Sequence, residues 1–311
     1  MVRRFRGLSA LSVILILAAC GSGATTAPSP TTAPSAVAQA SEAATPQVTE
    51  NPCAAANLKT MTAGTLTVGA DNPAYPPYYE PDSAAASGSP WELGDPVNGN
   101  GLEAATAYAI ATKLGFGSGA VTWVVEPFNN AIEPGAKPFD MYLTQVSYSA
   151  ERAQVVDLSD GYFDLNQAVV ALKSNPIAQV TTVAGLKDFT FGTQAGTTSY
   201  QYITDQIQPT KQPRSYDSMD TAVKALQAKQ IDAIVADLPT AFYMRDAQLT
   251  GGTIVGSLPS VGQVEHFSVL LAKGSPLTAC VNQAIAALKQ DGTLQSITDQ
   301  WIASQGAPAL K

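Results

Sequence analysis

The chain has 311 residues, 45% of them hydrophobic, with 25 acidic against 17 basic residues and a net charge of −8. A chain of that sign is repelled by nucleic acid and by anionic membrane surfaces, so no nucleic-acid partner is expected. With one histidine, three cysteines and no Cys-x-x-Cys pair, neither a metal nor any other cofactor is expected, and His266 reads as a structural residue.

Arg3, Arg4 and Arg6 precede an apolar run over 8–19 that is too short to span a bilayer, the pattern of an export signal over 1–19. Leu17-Ala18-Ala19-Cys20 followed by Gly21 resembles the lipobox of bacterial lipoproteins. The resemblance implies that Cys20 carries lipid, becomes the new N-terminus and anchors the chain to the outer face of the cell membrane or in the periplasm. Removing 1–19 takes three arginines and no acids, which leaves 14 basic against 25 acidic residues and a charge of −11. From Gly21 to about residue 52 the composition is Ala, Thr, Ser and Pro, with too little apolar surface to fold, and this stretch reads as a tether. No other segment approaches ~20 consecutive apolar residues. With Cys20 set aside, Cys53 and Cys280 are an even pair in an oxidising compartment, which favours a disulfide. Two free buried cysteines stay open, because a sequence does not show proximity.

In the remaining part, Leu66-Thr67-Val68-Gly69, Val121-Thr122-Trp123-Val124-Val125 and Phe189-Thr190-Phe191-Gly192 read as strands alternating with amphipathic helices. That alternation predicts an α/β protein with mostly parallel sheets. A helix opening near Gly101 carries Leu102, Ala105, Ala109 and Ile110 on one face and stops at Gly115. Between Tyr79 and Gly101 the chain is rich in Ser, Pro and Gly, and a long surface hairpin or loop is expected. Ile231-Asp232-Ala233-Ile234-Val235-Ala236 reads as a buried strand with Asp237 at its carboxyl end and Pro239 ready to start a helix. Ligands bind at that end of strands in open sheets, so Asp237 is either a helix cap or a ligand contact. Val281, Ile285 and Leu288, a break at Asp291-Gly292, then Leu294, Ile297 and Trp301 predict two closing helices.

Several segments in this order resemble the amino-acid-binding family of bacterial extracellular solute-binding proteins, the glutamine, histidine and lysine-arginine-ornithine binders of ABC importers. They are Thr65 to Asp71, Tyr75-Pro76-Pro77-Tyr78, Gly101-Leu102-Glu103, Phe139-Asp140, Ser147-Tyr148-Ser149-Ala150-Glu151-Arg152, and Val156 to Tyr162. In the second half, Leu186-Lys187, Gly196-Thr197-Thr198 and Ile231-Asp232-Ala233 leading to Asp237 complete the series, so the match covers about 64–304. The resemblance implies a two-lobed type II periplasmic-binding-protein fold with two hinge crossings, closing on a small amino acid that is passed to the permease of an ABC importer. Lobe one would be 55–168 plus 267–311 and lobe two 169–266, with crossings near 167–170 and 264–267. It also puts Cys53 and Cys280 in the same lobe, and implies a monomer that is not an enzyme.

A free amino acid is a zwitterion, and taking both charges out of water is costly unless each meets a partner. Arg152 occupies the family's carboxylate-binding position, and its planar fork suits that task; a surface ion pair with Glu151 is the rival reading. Thr197 and Thr198 open a helix whose free N–H groups can meet the same carboxylate from lobe two, or serve as a plain cap. Asp237 matches the acceptor for the α-ammonium, assisted by Ser147, while Tyr75 and Phe128 match aromatic positions that pack on the ligand side chain. The chain departs from common members by one extra residue between Asp71 and Tyr75, by Ser149 in place of threonine, and by Gly101-Leu102-Glu103-Ala104-Ala105 where the family has a Gly-Phe-Asp-x-Asp run. Asp71 is therefore expected to face an amide or a cation, or to cap a loop. Two other functions share this fold: a cyclohexadienyl-dehydratase-like enzyme, which needs a further carboxyl in the cleft where none is evident, and a lipoprotein that senses its ligand for a receptor.

Overall fold

The structure, a computed structural model, describes residues 51–82, 88–302 and 306–311; Cys20, the export segment and the tether fall outside them. Apolar β-branched runs become strands, the central ones buried on both faces, and the amphipathic stretches between them cover those faces as helices. The first half runs β1 (Leu66–Ala70), α1 (Leu102–Lys113), β2 (Val121–Val125), α2 (Phe128–Ala131), β3 (Met141–Tyr142), α3 (Arg152–Val155) and the long β4 (Val156–Leu165). Then follow β5 (Gln167–Leu172), β6 (Phe191–Gln194), α4 (Thr198–Tyr202), β7 (Arg214–Tyr216), α5 (Met219–Gln227), β8 (Ala233–Asp237), α6 (Leu238–Tyr243) and β9 (Gly252–Ser257). β10 (Glu265–Ala272), α7 (Thr278–Gln290) and α8 (Thr293–Trp301) close the series.

The strands form two five-stranded sheets, ordered β2-β1-β3-β10-β4 and β7-β6-β8-β5-β9. In each, three parallel strands are followed by two antiparallel additions, so the carboxyl ends of β1 and β3 in one sheet and of β6 and β8 in the other face a shared cleft. The chain leaves the first sheet at Leu165 and joins the second at Gln167, which pairs with Asp237; it returns at Glu265, which pairs with Leu165. Both changes of sheet come two residues earlier than expected. Gln167 and Ala168 belong to the second sheet and Glu265 and His266 to the first, because ladder hydrogen bonds decide membership and a run of apolar residues does not reveal them.

The C-terminus departs further from the expected layout. The Ser257 N–H donates to Pro308 O at 2.7 Å and the Leu310 N–H to Ser257 O at 2.9 Å, and Leu310 is buried in the second lobe rather than the first. The outer edge of β9 needs partners for its backbone groups, and the tail supplies them. Between Tyr79 and Gly101 the described residues are mostly exposed or half-buried, as the composition suggests, and only Gly94, Asp95 and Pro96 are buried. Tyr78 and Tyr79 are buried and the Tyr79 hydroxyl donates to Leu143 O at 2.5 Å, while Trp91 packs on the same core.

The first core is built from β1, α1, α7 and the faces of β4 and β10, and Cys53 and Cys280 are bonded within it, with Cα atoms 5.3 Å apart. The second sheet is covered on both sides, by α5 and α6 over Val170, Ile234 and Ala236 and by Ile177, Ile203 and Leu310 over Val169, Ala233 and Val235. Gly101 begins α1 with φ +105°, and a Cβ there would lie 2.3 Å from Tyr78 O, so only glycine lets the helix start against this loop. That close approach aims Glu103 inward.

Candidate functional site

A cavity of about 70 Å³ lies between the two sheets. From the first lobe it is lined by Asp71, Tyr75, Phe128, Ser147 and Arg152, and from the second by Thr197, Thr198 and Asp237. All eight residues singled out in the sequence thus reach one cavity.

Arg152 opens α3, where the Ser149 hydroxyl accepts its backbone N–H at 3.1 Å. The side chain is 8% exposed, with one terminal nitrogen donating to Ser147 O at 2.6 Å and the other to Gly196 O, in the second lobe, at 2.7 Å. Its guanidinium lies 5.3 Å from the Phe128 ring centre, so the face of Phe128 serves the arginine. The surface-pair reading fails: Glu151 instead accepts from Gln201 at 3.3 Å, across the cleft. Burial lowers the Arg152 pKa, while Glu265, Asp237 and Glu151 pull the other way and favour the cation.

Asp237 occupies the cap position of α6, yet its side chain makes no capping hydrogen bond. Its Oδ1 accepts Gln167 Nε2 at 3.1 Å, and the same nitrogen donates to Glu265 at 3.0 Å. Burial first, then the neighbouring Glu265, holds the Asp237 carboxyl well above the usual range. Glu265 is therefore a third carboxyl beside the cleft, contrary to the expectation of none, with one oxygen also accepting from Thr198 at 2.6 Å. Spacing hid it because Glu265 lies far along the chain, on the return strand.

Thr197 is a helix cap in full: its Oγ1 accepts the Tyr200 N–H at 3.1 Å and donates to Gln194 O at 2.8 Å. The side chain is committed, so its offering to the cavity is backbone. Asp71 follows β1; its Oδ1 accepts the Asn72 N–H at 2.8 Å, and burial raises its pKa. The Tyr75 hydroxyl is buried without a well-formed hydrogen bond, and its ring meets Tyr243 edge-on at 6.3 Å. His266 lies outside this cavity, stacked on Tyr148 at 5.6 Å between ring centres.

The sequence reading missed Thr144, Gln145, Gln194, Met219, Thr240, Met244 and Gln248, which also line the cavity. Met219 and Met244 look like core in any periodicity, and Gln145 carries no motif. Only its backbone, with φ +44° in a non-glycine residue, marks it out, and φ is not written in sequence. Among the described residues no cluster of His, Cys, Asp and Glu is placed to hold a metal ion, and no helix is long and apolar enough to cross a membrane.

Residues 66–304 match the bacterial extracellular solute-binding proteins, family 3. The chain belongs to that family. This solute-binding protein is 28% identical over 170 residues to ABC transporter arginine-binding protein 1 of Escherichia coli, covering 53% of this chain and 67% of that one. It is 29% identical over 167 residues to the L-cystine-binding protein TcyJ of the same species, covering 53% and 61%. Each alignment thus spans only about two thirds of the relative. A solved structure described as an ancestral arginine-binding protein bound to glutamine superposes with TM-score 0.63 at 27% identity, covering 78% of this chain and all of the other. The two-lobed α/β architecture is thus the type II periplasmic-binding-protein fold.

Proposed function

We propose that this chain is an extracytoplasmic solute-binding protein, not an enzyme, that holds a small polar amino acid between its lobes and passes it to the permease of an ABC importer. Lobe one is 51–165 with 265–302 and lobe two 167–257 with 306–311. The observation that carries this reading is one cavity with a buried cation, Arg152, on one wall and a carboxylate, Asp237, on the other. A zwitterion meets both, and its contacts to the two lobes favour the closed form. Asp71 at the same cavity favours an uncharged or basic ligand side chain over an acidic one. Glu265 accepts from Gln167 with one oxygen and from Thr198 with the other and does not line the cavity, which does not suit a general acid acting on a ligand there. Lipid on Cys20 anchors the monomer through the tether.

The test is a thermal-shift and calorimetric panel of the twenty common L-amino acids on the exported Cys20→Ser chain. A ligand at a hundredfold excess over its Kd should add about 2.7 kcal/mol of stability. Absence of any shift overturns amino-acid binding, and tightest binding to aspartate or glutamate overturns the side-chain reading. Cys20→Ser should also release the protein from membranes; full retention removes the anchor.

A further inference from the structure

We propose that Glu103 is a positioning residue for ligand capture: its carboxylate, sealed behind the cavity, holds the ligand-facing segment 144–147 in shape through the left-handed backbone of Gln145. The inference rests on the solute-binding reading above.

Glu103 is fully buried in the first turn of α1. Three donors converge on it: the Gln145 N–H at 2.6 Å, Gln145 Nε2, and the Tyr162 hydroxyl at 2.5 Å. A carboxylate can accept all three; a protonated carboxyl has fewer acceptor sites and brings a proton that needs an acceptor of its own. Gln145 sits at φ +44°, a conformation a non-glycine residue keeps only when its surroundings hold it there. On either side of Gln145, the Thr144 hydroxyl accepts the Asp71 N–H at 3.0 Å and the Ser147 carbonyl accepts from Arg152. One buried charge therefore sets the segment on which both Asp71 and Arg152 rest. A purely structural Glu103 would affect stability and leave affinity alone.

The groups facing Glu103 are Tyr78 and Tyr79 from the loop after β1, Tyr142 from β3, Tyr162 from β4, and Asp237 from across the cleft. Burial lifts the Glu103 pKa to about 7, against which its hydrogen bonds act, so both of its protonation states are populated near neutrality. If capture uses the charged form, ligand lowers that pKa, and affinity rises with pH before levelling off above it. Asp237 titrates in the same sense, so the share belonging to Glu103 is the part that Glu103→Gln removes. For stability the sign is opposite. A raised carboxyl pKa contributes stability in full below the unfolded value, and that contribution is lost as pH rises through about 7.

The experiment compares native protein and Glu103→Gln in calorimetric titrations with the panel of twenty amino acids at about pH 6 and about pH 8, with melts and the NMR shift of the Gln145 amide followed across the same range. Native affinity should rise about tenfold from the lower to the higher pH, the change in the charged fraction of a group with a pKa of about 7 when the charged form alone captures ligand. Glu103→Gln should bind at least about tenfold more weakly at pH 8, with a flatter pH profile, while melting no lower than the native protein. Equal affinity in the variant at pH 8, or a native affinity independent of pH, overturns the proposal; the second outcome decides it even if the variant does not fold. If no amino acid binds native protein, the binding reading falls on its own, and the Gln145 amide decides this one. A titration near pH 7 that Glu103→Gln abolishes supports it, and a static resonance overturns it.

Discussion

Arg152 on the first wall of the cavity donates to two carbonyls, one in each lobe, whereas Asp237 on the second accepts a single hydrogen bond from Gln167 and sits beside a second carboxylate, Glu265. Two of the cation's five N–H donors are thus met by the protein itself. The anion is held in surroundings that disfavour its charge, and an incoming ammonium would relieve them. The lobes behind the walls also differ: the first is closed by the Cys53–Cys280 bond, while among the described residues the second has no disulfide and is held by packing on its two sheet faces and by the tail hydrogen-bonded to β9.

The largest expected effect tests that asymmetry of the lobes. Replacing Cys53 and Cys280 by serine frees a crosslink across 227 residues of sequence, and a chain-entropy estimate puts the loss at about 5 kcal/mol. Urea unfolding of the double variant should show it; a midpoint unchanged from the oxidised native protein would mean that the bond does not form in solution.

The comparison of the walls is broken by truncating each charge. Arg152→Met and Asp237→Asn should each cost about 2–5 kcal/mol of binding, roughly 30- to several-thousandfold in affinity, by leaving one ligand charge without its partner. Their stabilities should part. Arg152→Met strands two carbonyls and should lose about 1–3 kcal/mol, more than a charge in a wet cleft would. Asp237→Asn should be neutral or stabilising at neutral pH, because a carboxyl whose folded pKa is raised loses its contribution as pH climbs above the ordinary carboxylate range. Melts that rank the two variants the other way would reverse the assignment of which charge the protein itself stabilises. The smallest effect sharpens the second wall: Thr197→Ala should cost about 1 kcal/mol of stability through the lost cap while affinity changes little, since the Thr197 hydroxyl is turned to Gln194 O. A large affinity loss would bring that hydroxyl into the site.

Much of the architecture is legible in the chain itself. Strand and helix character follows from side-chain period, and the break at Gly292, with φ +78°, falls where Asp291-Gly292 announced it. The residues reaching the cavity were found mainly through the resemblance to the solute-binding family, with Asp237 alone also marked by its place at a strand end. The choice at Asp237 between cap and cavity wall was open in the sequence, because both need a carboxylate at the same place. Only the fold decided it, since Asp237 makes no capping hydrogen bond to α6 and lies in the cavity wall. Glu265, Gln145 and the C-terminal tail on β9 were decided by tertiary structure alone. Each depends on partners from 42 to 98 residues away, Gln145 on Glu103, Glu265 on Gln167 and Ser257 on Ala309. Pairing over such distances leaves no period in the sequence, since hydrogen bonds form between groups that the folded chain brings together and neither partner's neighbours need to record it.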